Sequence, residues 1–144
     1  MSGPAAPRLT PLVLPHLEGV APDALDPDEV HEAERITAPA SGRPLAWSGL
    51  RLRHCELHLP EVATLRAEGA RLLDCRVVAP VVTTWRAVGA TWRGVEVVEG
   101  RIGHLDAAEG QWDRVALAGA RIGYLSLRDA EVTDVRLADC EVET

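Results

Sequence analysis

Residues 91–110 read TWRGVEVVEGRIGHLDAAEG and residues 111–130 read QWDRVALAGARIGYLSLRDA, so the same pattern returns after twenty residues. Within each segment an apolar residue also recurs at every fifth position. Followed along the chain, this spacing gives an unbroken series of nineteen apolar residues: Leu52, Leu57, Val62, Ala67, Leu72, Val77, Val82, Ala87, Trp92, Val97, Ile102, Ala107, Trp112, Leu117, Ile122, Leu127, Val132, Leu137 and Val142. Such regularity over most of a chain is typical of a repeat architecture.

The five-residue period matches neither the helical period of 3.6 residues nor the strand period of 2. The position two residues before each member of the series is never charged, from Leu50 to Cys140, and the position between the two is mostly polar. An inward–outward–inward triplet is locally extended, because alternate side chains of a strand point to opposite faces. The other two residues of each repeat must turn a corner, and turn-prone residues are frequent there: Gly69, Asp74, Gly89, Gly94, Gly119, Asp129, Asp134 and Asp139.

Four corners close a square, which predicts coils of twenty residues that place each residue beside the one twenty positions later. Side-chain size supports this spacing. On one face the inward pairs combine a small residue with a large one: Ala70 with Leu72, Ala90 with Trp92, Gly110 with Trp112 and Ala130 with Val132. On another face the large residue comes first: Leu65, Trp85, Leu105 and Leu125. A densely packed interior requires such alternation, so we predict an all-β parallel β-helix.

Three stretches show the repeat as a small residue, a polar residue, a large apolar residue and two variable residues: Ala120-Arg121-Ile122-Gly123-Tyr124, Ala130-Glu131-Val132-Thr133-Asp134 and Leu45-Ala46-Trp47-Ser48-Gly49. This motif resembles that of the pentapeptide-repeat family, and the resemblance covers about residues 45–144. It implies a right-handed quadrilateral parallel β-helix, here of about five coils or roughly 24 Å. The sequence departs from the family motif by using Trp for Phe at the centre and Arg for Asp or Asn beside it.

The composition bounds the class of protein. The chain has 144 residues, of which 47% are apolar and 26% charged, as expected for one soluble domain. Its net charge of −7 argues against direct nucleic-acid binding. No apolar run reaches the length of a membrane span, and the first residues do not resemble a signal peptide. The three cysteines form an odd number without metal-like spacing, so we expect reduced core thiols in a cytoplasmic protein.

The first part of the chain differs from the repeats. Residues 1–44 are interpreted as a Pro-rich N-terminal arm and cap, and residues 45–144 as the β-helix. The sequence Asp26-Pro27-Asp28-Glu29 is typical of a helix start, with Asp at the N-cap and Pro at the first helical position. It predicts a short helix over 27–35. An extended strand against the edge of the first coil is the alternative.

The last repeats carry apolar inward positions without a following segment to cover them: Val132, Leu137 and Val142. An open coil end presents unpaired backbone groups and apolar side chains. Either the sequence is truncated or this end packs against another molecule. We therefore hypothesise a C-terminal, end-to-end homodimer with a two-fold axis.

The search for chemistry finds no catalytic, cofactor-binding or metal-binding residues that we would assign. His54 and His58 flank Cys55, but the repeat turns the histidines outward and the cysteine inward. Cys55 and Cys75 should stack about 4.8 Å apart with parallel Cβ directions, which suits a disulfide poorly. Known nucleophile, phosphate-binding and zinc motifs are absent from the sequence. With a filled core and convex carboxylates, we expect a protein that is not an enzyme.

Two outward features remain. Glu56, Arg76 and Glu96 should form a charge ladder along adjacent coils. Next to it we predict an apolar outward stripe, here called the stripe, in which Val78, Val98, Ala118 and Ala138 follow His58, with Val81 and Ala116 nearby. The stripe marks either a protein contact or scattered exposed aliphatic side chains.

The leading functional hypothesis is a non-catalytic, cytoplasmic protein-binding or scaffold module whose partner is a protein or a second copy. The alternative, implied by the family resemblance, is a DNA-mimic inhibitor or protector of DNA gyrase or another topoisomerase. Mimicry requires a sustained acidic surface. Residues 45–144 contain fifteen acidic residues and twelve arginines, which are evenly mixed, and this favours the first hypothesis.

Overall fold

The computed structural model describes residue 14 and residues 16–20, 25–38 and 44–142. The chain is all-β, and its parallel strands stack as a solenoid of about six turns. The prediction of a parallel β-helix is therefore confirmed, with about one more turn than expected. The interpretation of the Pro-rich start as an irregular arm falls mostly outside the described residues.

The strands run in chain order as β1 (Glu18–Val20), β2 (Val30–Glu32), β3 (Glu34–Thr37), β4 (Leu45–Ala46), β5 (Arg51–Arg53), β6 (Glu56–His58), β7 (Val62–Arg66), β8 (Arg71–Leu73), β9 (Arg76–Val78), β10 (Val81–Arg86), β11 (Thr91–Val98), β12 (Arg101–Asp106), β13 (Gln111–Ala118), β14 (Arg121–Ser126), β15 (Glu131–Ala138) and β16 (Glu141–Val142). Among the residues that the structure describes, they form one sheet of ten strands and one of six. The eight-residue strands β11, β13 and β15 each extend over two faces of a coil, because a corner lies within them.

The register confirms the spacing of twenty. Trp92 lies opposite Leu72 on one side and Trp112 on the other. In the second sheet, Leu105 lies between Trp85 and Leu125 in the same way. Successive coils therefore place similar residues directly opposite one another, as the sequence predicted.

The corners adopt left-handed backbone conformations. All eight glycine and aspartate residues predicted at corners have positive φ: Gly69, Asp74, Gly89, Gly94, Gly119, Asp129, Asp134 and Asp139. Glycine and aspartate tolerate this region better than branched residues do. At Gly94 a Cβ atom would also lie 2.4 Å from Asp74 Oδ1, so that the Asp74 carboxylate would have to move to make room for it.

The predicted helix over 27–35 is wrong. Asp26 closes a turn, in which its carbonyl accepts from the Glu29 amide and its Oδ1 accepts from the Asp28 amide. The following residues form β2 and β3, which pair with β5 and β6, so that the extended alternative is correct. Burial of Ile36 favours the strand over the helix. Ile36 is fully buried and lies opposite Leu57, at the start of an inward column.

The core consists of the inward columns of the coils. Trp92 stacks on Trp112 with ring centroids 4.9 Å apart and planes within 5°. Trp85 lies 5.3 Å from Trp92 at a tilt of 58°. The indole Nε1 atoms of Trp85 and Trp112 are buried without a hydrogen-bond partner in the described structure. The free energy gained by packing the large rings between small residues therefore exceeds the cost of leaving these two indole N–H groups without hydrogen bonds.

The first described coil closes the core with polar groups. His31 is buried, with 7% exposure, and its Nδ1 lies 3.2 Å from Glu34 Oε1. Its Nε2 lies 2.8 Å from the Asp26 amide nitrogen and 3.0 Å from the Asp26 carbonyl oxygen. These contacts hold the turn at Asp26 over the end of the solenoid.

Candidate interaction surfaces

A charge ladder occupies one outer face of the ten-stranded sheet. Arg76 Nε lies 3.2 Å from Glu96 Oε1, and Arg76 Nη1 lies 3.8 Å from Glu56 Oε2. Arg35 Nε continues the ladder at 3.2 Å from Glu56 Oε1. The predicted ladder of Glu56, Arg76 and Glu96 is therefore confirmed and extends one coil further.

Glu56 is the central group of this ladder. Its Oε1 also lies 2.6 Å from His58 Nε2. Although burial acts to raise it, the pKa of the Glu56 carboxyl is lowered from its ordinary value by hydrogen bonds from His58 and Arg35. The carboxylate is thus held in its ionised form by these hydrogen bonds.

Further ion pairs mix the two signs of charge over the other faces. Arg93 lies 3.7 Å from Asp113, Arg86 lies 3.2 Å from Glu68, and Arg121 lies 3.6 Å from Glu141. Because acids on the coils lie beside arginines in this way, the described surface lacks the sustained negative charge that mimicry of a DNA duplex requires.

The stripe is partly assembled as predicted. Val78, Val98, Ala118 and Ala138 lie opposite one another on successive coils and form a single column, which begins at His58. Val78, Val98 and Ala118 are half-buried, and Ala138 is exposed.

Two predicted members of the stripe lie outside this column. Val81 is 44% exposed, but it lies in the six-stranded sheet opposite Arg101, because the corner after Val78 turns it onto the next face. Ala116 occupies the charged column between Glu96 and Arg136. It still borders Ala118 on the same strand.

The stripe leads into a depression of about 580 Å³, which sequence reasoning missed. Its lining combines apolar and charged residues: Arg35, Thr37, Glu56, His58, Leu59, Pro60, Val78 and Ala79. Arg35 and Thr37 lie on β3, which begins within the helix that the sequence predicted over 27–35. The sequence would have predicted β3, and with it this side of the depression, if Ile36 had been aligned with Leu57 at an offset of 21 residues instead of twenty.

The predicted C-terminal interface residues lie at the end of the described solenoid. Val132 stacks on Trp112, Leu137 on Leu117 and Val142 on Ile122. Val132 is 45% exposed and Leu137 56% exposed, whereas the residues beneath them are buried. Core-type side chains therefore form an apolar end surface, here called the end surface.

The cysteines and histidines do not gather into a metal site. Cys55, Cys75 and Cys140 are free thiols, and their Sγ atoms donate to backbone carbonyls. Contact with Cys55 and burial raise the pKa of the Cys75 thiol well above its ordinary value. Within the described ranges, no group of three or more His, Cys, Asp or Glu side chains is arranged to hold a metal ion. The same ranges contain no helix long and apolar enough to cross a membrane.

No protein-family model, no curated protein and no solved structure matches this chain. The stripe and the end surface are therefore interpreted from their own geometry and chemistry.

Proposed function

We propose that this chain is a non-catalytic protein-binding module of the pentapeptide-repeat type that acts in the cytoplasm. The observation that carries the proposal is the stripe, whose apolar column lies on a face otherwise occupied by ion pairs. Contiguous apolar surface bordered by charged residues is a common property of protein-binding sites.

The neighbouring depression supports the same function. It joins the N-terminal end of the stripe at Val78 and adds the charged groups of Arg35 and Glu56. A partner can therefore insert an apolar side chain beside the stripe and place polar groups at its rim. Such an arrangement of apolar centre and polar rim is typical of protein interfaces.

The non-catalytic part of the proposal rests on the buried apolar core and on the arrangement of charged side chains along outer columns. Catalytic groups in enzymes usually converge in a cleft that excludes water. The described ion pairs instead stack along outer columns, where each side chain already has a partner of opposite charge. The free, mostly buried thiols are compatible with a reducing compartment.

Site-specific photo-crosslinking in the cells that produce the protein tests this function. A photoreactive residue replaces Val98 in the stripe, and the matched control replaces Thr84, which is also half-buried but lies in the other sheet. We expect a discrete adduct with another protein from position 98 and none from position 84. Adding Val78→Asp should abolish the adduct while the circular dichroism spectrum stays unchanged. Equal labelling from both positions, or no adduct at position 98, would contradict the proposal.

A further inference from the structure

The charge ladder ends at Arg35, beside a position that carries no side chain. Along the ladder the sign of the charge alternates from coil to coil, from Glu96 to Arg76, Glu56 and Arg35. The same alternation would place an acid beyond Arg35, but Gly19 occupies that register position. A Cβ atom at Gly19 would meet no other atom within 4 Å. The ladder therefore leaves room for an anion beside its last arginine.

Arg35 has the donors to hold such an anion. Its Nε atom lies 3.2 Å from Glu56 Oε1, whereas its two terminal nitrogens have no hydrogen-bond partner in the part of the chain that the structure describes. The side chain is 51% exposed. Two parallel N–H groups of a guanidinium match the two oxygens of a carboxylate. Thr37, two residues further along β3, adds an exposed hydroxyl group to the same rim of the depression.

Glu56 is the carboxylate in the lining of the depression, and its charge is already compensated. Its Oε1 lies 3.2 Å from Arg35 Nε and 2.6 Å from His58 Nε2, and its Oε2 lies 3.8 Å from Arg76 Nη1. Repulsion of a further anion at the outer side of Arg35 is therefore small.

The other side of the depression is apolar. Pro60 and Ala79 are exposed there, and Val78 is half-buried. The volume of about 580 Å³ lies within the usual range of ligand sites. A ligand that fills the depression therefore combines a carboxylate at one end with an aliphatic group close beside it.

The last residue of a polypeptide has this combination when its side chain is aliphatic, because the α-carboxylate and the side chain branch from the same carbon atom. An aspartate or glutamate within a chain carries its carboxylate at the tip of the side chain, without an aliphatic group beside it. Capture of a C-terminal carboxylate is a recurring mode of peptide recognition.

We propose that the depression binds the C-terminal carboxylate of a partner protein on Arg35, with the aliphatic last side chain of the partner against Val78. This inference rests on the proposed function, since it assigns the chemistry of the partner at the N-terminal end of the stripe.

A nuclear magnetic resonance titration of the ¹⁵N-labelled 144-residue chain tests the site. The probe is N-acetyl-valyl-leucine, which should shift the amide resonances of Thr37, His58 and Ala79. Its C-terminal amide should bind at least about tenfold more weakly, because it lacks the charge that pairs with Arg35. Equal binding of acid and amide, or no shifts with the acid at about 10 mM, would overturn the proposal. Equal binding of N-acetyl-aspartyl-leucinamide would overturn the assignment to a C-terminal carboxylate.

Two pairs of variants locate the carboxylate. Arg35→Gln should weaken binding of the acid at least about tenfold. The matched control Arg86→Gln should leave it unchanged, since Arg86 is 52% exposed and also lies 3.2 Å from one glutamate, but on the other sheet. Gly19→Asp supplies a carboxylate from the chain itself and should also weaken binding, whereas Gly19→Asn should not. Equal binding by the two Gly19 variants would overturn the place assigned to the carboxylate.

The photo-crosslink from position 98 separates this inference from the proposed function. Arg35→Gln should reduce the protein adduct while the circular dichroism spectrum stays unchanged, and Arg86→Gln should not reduce it. An adduct that persists undiminished in Arg35→Gln would overturn the C-terminal carboxylate and leave the proposed function intact. Loss of the proposed function would instead be seen as an absent adduct in the unchanged protein, and the titration then decides whether the depression binds the acid.

Discussion

The stacked indoles of Trp92 and Trp112 make the contact between successive coils measurable. Both side chains are 1% exposed, and they lie twenty residues apart in sequence but 4.9 Å apart between ring centroids. Replacing a buried tryptophan with alanine costs about 3–5 kcal/mol. Replacement with leucine keeps much of the apolar volume, so that each single change should cost about 2–3 kcal/mol.

The double variant should be less destabilised than the sum of the two single variants. An aromatic pair contributes about 0.5–1.5 kcal/mol beyond its buried area, and this contribution is already lost in either single variant. Trp112→Leu should also cost less than Trp92→Leu, because it removes a buried indole N–H that has no hydrogen-bond partner.

Urea unfolding followed by far-ultraviolet circular dichroism gives the four free energies of unfolding for this cycle. The control cycle combines Trp112→Leu with Ile36→Val. Ile36 is fully buried four coils below, about 19 Å away by strand spacing. The control should be additive within about 0.5 kcal/mol. A coupling between Trp92 and Trp112 no larger than that of the control would refute the stacking argument.

Three further predictions concern acid stability, corners and thiols. Glu56, whose pKa is lowered in the folded state, stabilises the protein above about pH 4.3, and this contribution is lost as the pH falls through the lowered pKa. Glu56→Gln should therefore reduce the fall in the free energy of unfolding, measured with urea, as the pH is lowered. An unchanged fall would contradict the role of this carboxylate. At Gly69, with φ of +68° and open space around its Cβ position, asparagine should cost less than valine by about 1 kcal/mol, and equal thermal midpoints would refute the requirement for a left-handed corner. A thiol reagent should label Cys140 in the native protein and Cys55 and Cys75 only after unfolding, whereas native labelling of all three would show that the core opens.

The coiled part of the fold could be predicted because its contacts repeat with a fixed spacing. Each inward residue, such as Val97, contacts residues twenty positions before and after it, so that a periodic sequence specifies both the coil and its neighbours. The corner residues reinforced the same period, since Gly94 and Asp74 occupy equivalent left-handed positions.

The start of the solenoid could not be predicted from local signals alone. Asp26 and Pro27 suit a helix start and a turn equally, because both use an aspartate oxygen to accept from a following amide. Burial of Ile36 favours the strand, but its offset of 21 residues from Leu57 interrupts the period. The depression beside the stripe depends on this coil and was missed for the same reason.

The outer surfaces were predictable to the extent that columns repeat. The column from Val78 to Ala138 follows directly from the spacing of twenty. That Val81 lies on the next face could not be predicted from the spacing, because only the corner geometry decides on which face a residue after Val78 lies.

The distance between spin labels at Val30 and Gln111 tests the central claim most directly. These exposed positions are joined through Arg51, Arg71 and Thr91 by four successive register pairs. The labels are attached in a background without native cysteines, and the labelled protein is diluted with unlabelled protein. After allowance for the label linkers, double electron–electron resonance should give a narrow distribution of distances centred at about 19 Å between the two backbone positions. A broad distribution, or a separation well beyond 30 Å, would contradict a chain that winds as stacked coils.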